Sequence, residues 1–405
     1  MRYFSRELEK LLIGGHSANK VRLVFGARQT GKSTLLNRLL PNDATAIYNL
    51  QDSHLRRQFE ADPGSFSEEI KALNHTIVNV LIDEIQKVPA LLEEVQFLYD
   101  ADPHRFQFYI TGSSARRLRV HSANLLPGRC HMFHLYPVTR FEEKDCSSVI
   151  ESRSVPAKGF IPRALDTRLH FGNLPGILQE SPETASATLD AYVENYLEEE
   201  IRREAVVRDV GAFSQFFRLA AVESGGQTNL ARLAQETGIS ASTLKLYYQV
   251  LVDTFVGYHV QAYGRPSRKK LLTTPRFLFF DLGVRKAAAR SSFPQELSSV
   301  EGGPLLEQWV GLELIHRVGY SGRRNSVSFW RTKTGAEVDY VWEAPEEDIP
   351  IEVKWTENPS TSDARHIETF LDLYPQRARK GLLVCRVARP RQLTERITAI
   401  PWSDL

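Results

Sequence analysis

Val21-Arg-Leu-Val-Phe25-Gly26-Ala27-Arg28-Gln29-Thr30-Gly31-Lys32-Ser33-Thr34-Leu35 decides how the N-terminal part of the chain folds. A short apolar run enters a loop bounded by glycines, and a helix-like segment, 35–39, leaves it. The loop has the GxxxxGK[ST] spacing in the strand-to-helix setting that this pattern requires. Its glycines let the backbone curl so that successive N–H groups face phosphate oxygens, and the helix N-terminus adds a positive dipole. Gly26, Ala27, Arg28, Gln29, Thr30, Gly31, Lys32, Ser33 and Thr34 are thus the expected cradle for the phosphates of ATP. Lys32 reaches the β- and γ-phosphates, and the Ser33 hydroxyl is an oxygen ligand for Mg2+.

Working outward, the region up to residue 135 repeats one theme, a β-rich apolar run followed by a turn and a helix-like segment, which marks a parallel α/β sheet. Strands are expected at Val21–Phe25, 44–50, 76–82, 106–110 and 130–135. The run Val78-Asn-Val-Leu-Ile-Asp83-Glu84 ends abruptly in two acids, and burying both without partners costs several kcal/mol. A metal site explains them: Asp83 holds Mg2+ through its water shell and Glu84 polarises the attacking water. The two motifs imply adjacent strands of one sheet. In Tyr109-Ile-Thr111-Gly112-Ser113-Ser114 the hydroxyls of Thr111 and Ser113 suit hydrogen bonding to that water or to the γ-phosphate, although a plain turn has the same composition. Arg129, Arg116 and Arg117 are the arginines placed to act as an arginine finger.

The composition is that of an ordinary globular protein. Of 405 residues, 42% are hydrophobic and 25% charged, and the formal net charge of +2 neither demands nor excludes nucleic acid. The length calls for several domains. Cys130, Cys146 and Cys385 lack the close pairing that builds a zinc site and point to a reducing, cytoplasmic setting. No apolar run is long enough to span a bilayer, so no membrane partner is expected.

The P-loop, the stretch Leu81-Ile-Asp-Glu-Ile-Gln86, the Ile110-Thr-Gly-Ser-Ser114 turn and Pro127-Gly-Arg129 occur in that order and together resemble the prokaryotic AAA+ ATPases of the AAA_14/DUF4143 family. Phe171-Gly172-Asn173-Leu-Pro175 is similar to that family's Gly-Gly-x-Pro stretch at the lid, with Asn173 in place of the second glycine. The resemblance covers nearly the whole chain. It implies an α/β fold with an AAA+ P-loop core over 1–145, a helical lid over 146–206, a winged helix-turn-helix over 207–290 and a restriction-endonuclease-like α/β domain over 291–405.

Residues 228–240 read as a capped helix ending at Gly238, with a second N-cap at Ser240, a helix-turn-helix pattern. Ser242, Thr243, Lys245 and Gln249 carry polar reach on the second helix, and the cationic turn 265–270 is the expected wing. Tyr247 and Tyr248 suit packing as well as DNA, so DNA binding and a protein-packing role both stand. Further on, Glu337-Val-Asp339 precedes Ile351-Glu352-Val-Lys354, an arrangement that looks like PD-(D/E)xK. Glu352 and Lys354 share a strand face, and hairpin pairing brings Asp339 beside them. Asp339 and Glu352 would bind Mg2+ or Mn2+, Lys354 would act on a water, and Glu307 or Glu313 would add a carboxylate. The same residues also read as an ordinary amphipathic strand pair.

These readings combine into an ATPase whose nucleotide turnover repositions a DNA-directed C-terminal half with metal-dependent nuclease chemistry. The alternative is an ATP-dependent signalling or assembly switch whose nuclease-like domain only binds. A homo-oligomer is compatible with either.

Overall fold

The computed structural model describes residues 3–14, 19–114, 126, 128–143, 164–196, 209–264, 274–291, 297–322 and 324–405. They fall into two compact units, Tyr3–Val138 with Gln249–Val256, and Thr139–Tyr248 with Gly257–Leu405.

The first unit is built on five parallel strands, β1 (Val21–Phe25), β2 (Thr45–Asn49), β3 (Asn79–Asp83), β4 (Gln107–Gly112) and β5 (Cys130–His134), in the order β2-β3-β4-β1-β5. Helices Lys32–Leu39, Ser53–Ala61, Gly64–Lys71 and Leu91–Ala101 connect them. β1 and β3 are buried at every residue, which is why they read as continuous apolar runs, whereas the edge strand β2 is only partly buried. β3 begins three residues later than its sequence predicts. Asn74 accepts from the Thr76 N–H and the Ile77 N–H bonds back to the Asn74 carbonyl, so a turn consumes the start of the run.

The strand order corrects one expectation. The P-loop strand β1 and the acid-bearing strand β3 are not neighbours, because β4 pairs with both and lies between them. The chain leaves β3 through helix Leu91–Ala101 and re-enters the sheet in that gap. The Thr111-Gly112-Ser113 turn is thereby placed between the phosphate loop and the two acids.

The second unit carries an eight-stranded sheet of β6 (Gly257–Ala262), β7 (Arg276–Phe279), β8 (Ser326–Arg331), β9 (Glu337–Glu343), β10 (Asp348–Val353), β11 (Gly381–Cys385), β12 (Arg391–Gln392) and β13 (Ile397–Pro401). Its order is β12-β13-β11-β10-β9-β8-β6-β7. Helix Ser299–Ser321, through Trp309, packs in one apolar cluster with Phe329 and Tyr340, and helix Arg365–Leu373 packs in another with Trp330, Val338 and Leu383. Residues 257–262, within the segment expected to be a winged helix-turn-helix, form β6. They pair antiparallel with β7 and parallel with β8, so the sheet draws on both sides of residue 290. The long helix starts at Ser299 and is capped by the Ser298 hydroxyl.

The Phe171-Gly172-Asn173 stretch docks on helix Leu282–Ala288. Asn173 N–H donates to Asp281 Oδ2 at 2.7 Å, while Asp281 Oδ1 accepts from Val284 N–H at 3.1 Å and caps that helix. Gly172 has φ 67°, and a Cβ there would lie 2.1 Å from Asp281 Oδ1, so both backbone and space require glycine. Residues 146–163 and 197–206 of the expected lid lie outside the described residues, as does the expected wing 265–270.

Candidate functional site

The loop after β1 is curled by three residues in the left-handed region, Gly26 (φ 157°), Gln29 (φ 61°) and Gly31 (φ 94°). A Cβ on Gly26 would lie 2.3 Å from the Leu135 carbonyl oxygen, so the loop seats directly against the exit of β5. Lys32 is buried, and its ammonium donates to the carbonyls of Gly26 (3.0 Å) and Ala27 (2.9 Å). Ser33 Oγ donates to both carboxylate oxygens of Asp83, at 2.9 and 2.8 Å. The structure thus joins the P-loop hydroxyl to the strand-end acid across the intervening strand. A hydroxyl and a carboxylate are hard oxygen donors that suit Mg2+, which keeps several waters of its own.

Thr111, on β4, is fully buried and organises the acids. Its hydroxyl donates to Asp83 Oδ1 and accepts from the Glu84 N–H at 3.0 Å. Glu84 has φ 63°, a strained conformation for a residue with a side chain, of the kind that concentrates at functional sites. Its Oε2 accepts from Gln86 Nε2 and from Ser113 Oγ at 3.2 Å, and Gln86 Nε2 also lies 2.8 Å from Ser113 Oγ. Thr111 and Ser113 therefore hold the acids in this structure.

Three contributors were not singled out from sequence. Gln86 sits two residues past Glu84 and fixes its carboxylate. Arg6 is buried and donates to the carbonyls of Thr30 (2.9 Å) and Tyr136 (2.6 Å), tying the phosphate loop to the segment after β5. His134, paired with Phe25 in the sheet and packed on Phe255 at 4.6 Å, is pushed down to about 4 by burial and then by the Lys32 ammonium, so it is neutral at pH 7. Only Gln86 lies within the quoted motif; the others are brought in by long-range contacts.

Arg129 does not act on the P-loop of its own chain. It precedes β5 at the end of the sheet opposite the loop, where Val21 rather than Phe25 is level with Cys130, and its guanidinium chelates Asp100 at 2.5 and 2.9 Å. The sheet is parallel, so strand length separates it from the phosphates. Arg116 and Arg117 lie outside the described residues.

In the second unit the β9–β10 register Ile351–Tyr340 sets Glu352 next to Asp339, as the hairpin reading requires. Asp339 Oδ2 accepts from Val353 N–H at 2.9 Å, and Lys354 Nζ donates to Glu352 Oε1 at 2.7 Å. Glu307, on the long helix, faces this pair. Its own neighbour one turn on, Gly311, has no room for a Cβ because the Tyr340 hydroxyl would stand 2.4 Å away. Burial, then the neighbouring Asp339 charge, raises Glu307 to about 8 and Glu352 to about 7, and burial raises Asp339 as well. Arg276 of β7 spans the acids, donating to Glu307 Oε1 at 2.9 Å and to Glu337. Glu313 is elsewhere. Its carboxylate accepts from Arg140 N–H at 3.1 Å, and burial raises it to about 7. Among the described residues no group of three or more His, Cys, Asp or Glu side chains is gathered to hold a metal ion, so each candidate site offers a cation two protein groups.

The helix-turn-helix region has helices Leu230–Thr237 and Ala241–Asp253 joined through Gly238 at φ 71°. Leu233, Leu244, Tyr247 and Tyr248 are buried, and Ser242, Lys245 and Gln249 are exposed on the second helix. The tyrosines pack on Phe213, Phe216 and Phe277. Among the described residues no helix is long and apolar enough to cross a membrane.

Comparison with known proteins places these features in context. The AAA_14 family, described as an AAA domain, matches residues 18–143; two domains of unknown function, DUF8612 and DUF4143, match 162–295 and 302–405. An uncharacterized protein of Mycobacterium tuberculosis is 24% identical over 343 residues, 84% of this chain and 72% of its own length. One from Haemophilus influenzae is 21% identical over 373 residues, 87% of each chain. Among solved structures, C. elegans PCH-2 matches 48% of this chain and 59% of its own with 19% identity and a TM-score of 0.25. A Thermotoga maritima RuvB variant matches 64% of this chain and 90% of its own with 17% identity and a TM-score of 0.28. The chain thus carries an AAA_14 domain around the phosphate loop and a DUF4143 domain at 302–405, the two matches that support the AAA_14/DUF4143 resemblance.

Proposed function

We propose that this protein hydrolyses Mg2+-ATP in the first unit and uses the cycle to reposition a DNA-directed second unit. The observation that carries the hydrolysis is the direct bond from Ser33 to Asp83, with Lys32 and Glu84 on either side. In this reading the amides of 26–34 bind the phosphates, and Lys32 leaves its loop carbonyls to neutralise the β- and γ-oxygens. Ser33 and Asp83 would hold Mg2+, which when bound would offset phosphate charge. Glu84, released by Gln86 and Ser113, accepts the proton of the attacking water. Lys32→Ala should lose nucleotide affinity, whereas Glu84→Gln should bind ATP and turn over slowly. Normal hydrolysis by Glu84→Gln would remove Glu84 from the role of base.

The DNA-directed part is supported by the exposed polar face of Ser242, Lys245 and Gln249. Nuclease chemistry is supported by the adjacency of Asp339, Glu352 and Lys354, which would hold one divalent cation, and Glu352 Oε2 is buried without a hydrogen-bond partner, as expected for an oxygen reserved for a ligand. The other reading, a signalling or assembly switch that cuts nothing, is favoured by one observation: Lys354 already pairs with Glu352, and Arg276 with the neighbouring Glu307 and Glu337. Purified protein incubated with duplex and single-stranded DNA in Mg2+ or Mn2+ separates the two. Cleavage lost in Asp339→Ala and Lys354→Ala supports the nuclease, and equal inertness of all three proteins removes it.

A further inference from the structure

We propose that Arg276 is the resident counter-ion of the C-terminal acid cluster and competes with a divalent cation for it. Arg276 touches Glu307 of helix Ser299–Ser321, Glu337 of β9 and the backbone of Asp339, which the β9–β10 register sets next to Glu352. Arg276 enters from β7, separated from β9 in the sheet by β6 and β8, and is 5% exposed. One arm of its guanidinium lies 2.9 Å from Glu307 Oε1 and 3.4 Å from the Asp339 carbonyl oxygen, and the other lies on Glu337. The planar fork suits two carboxylates at once, which an ammonium cannot match. Phe329 lies under the guanidinium at 5.0 Å. The cluster therefore has two halves. Glu307 and Glu337 share the guanidinium of Arg276, while Asp339 and Glu352 have a backbone N–H and Lys354, with Glu352 Oε2 left over.

A cation held by Asp339 and Glu352 would lie close to the guanidinium that holds Glu307 and the Asp339 carbonyl, and a guanidinium beside a divalent ion opposes its entry by like-charge repulsion. Arg276 thus sets the affinity of the site. Its backbone is also bridged to Gln227, and Pro275 accepts from the Thr228 N–H at 3.2 Å, so the residue is anchored at the foot of helix Leu230–Thr237.

The inference rests on reading Asp339 and Glu352 as a cation-binding pair. Its test is Mn2+ titration by calorimetry, without nucleotide, of the full chain carrying Asp83→Asn so that the P-loop site does not contribute. Adding Arg276→Gln should tighten Mn2+ binding about tenfold or more, and adding Glu352→Gln to that protein should abolish it. Equal or weaker binding in Arg276→Gln, or tightening that survives Glu352→Gln, overturns the proposal. If Arg276→Gln does not fold, Arg276→Lys, which cannot span both acids, should bind about threefold tighter than its parent, and no change would overturn the proposal equally. Absence of Mn2+ binding in every variant refutes the cation-pair reading itself, a result distinct from equal, measurable binding.

Discussion

Replacing Thr111 with valine removes one oxygen at nearly constant volume and leaves two charged neighbours without their organiser. The Thr111 hydroxyl donates to Asp83 and accepts from the Glu84 N–H at 3.0 Å, and the residue is fully buried, so water cannot take its place. Leaving a buried donor unsatisfied costs ~1–3 kcal/mol. Glu84 is held at φ 63°, and this bond is one of the contacts that keep it there, so the loss falls on the placement of the acids rather than on the phosphate loop. At about 1.4 kcal/mol per tenfold, ATP turnover should fall roughly 5- to 150-fold. The assay is steady-state phosphate release together with calorimetric ATP affinity and a thermal melt. Affinity should change little, because the cradle of 26–34 is untouched, and Thr111→Ser should retain most of the activity. A folded Thr111→Val protein with turnover within about twofold of wild type would refute the organising role.

Three further outcomes test the surrounding structure. Arg168 and Glu143 are fully buried and paired through two bonds of 2.6 and 2.7 Å, so Arg168→Met should cost ~3–5 kcal/mol in urea unfolding, while Arg168→Met with Glu143→Leu should recover most of it. A double variant as unstable as the single one would contradict this. His134 is held at about 4, below its ordinary value, so the stability it adds is present above pH 6.5 and is lost as pH falls from 6.5 toward 4. The loss should be at most about 3 kcal/mol, and His134→Phe should flatten that part of the stability profile; an unchanged profile would remove His134 as its source. Gly172→Ala meets both a left-handed backbone and the Asp281 carboxylate, and should destabilise the second unit by ~2 kcal/mol or more in thermal unfolding, whereas a neutral substitution would mean that the docking is loose.

Local chemistry was legible wherever the chemistry is local. The glycines at 26 and 31, the lysine and serine that follow, and the apolar run ending in Asp83 are consecutive residues whose spacing alone dictates strand, turn and helix. The Glu352-x-Lys354 pair on one strand face is of the same kind, because alternation is a property of any strand. Strand order is not local. Nothing in the composition of β4 requires it to enter between β1 and β3, yet that placement turns Thr111 and Ser113 from generic turn residues into the supports of Asp83 and Glu84. Arg129 shows the same limit: proximity in sequence to a strand does not reveal which end of the sheet it occupies, and the parallel register puts it far from the loop of its own chain. Arg6, His134 and Arg276 reach their partners across 24 or more residues of chain, and an isolated arginine or histidine carries no signal of its destination. The sequence by itself determined that a loop of the phosphate-binding pattern and a strand ending in two acids exist. Only the tertiary structure decided which side chains hold them and which arginine stands in the second acid cluster, because burial and charge pairing depend on what packs nearby.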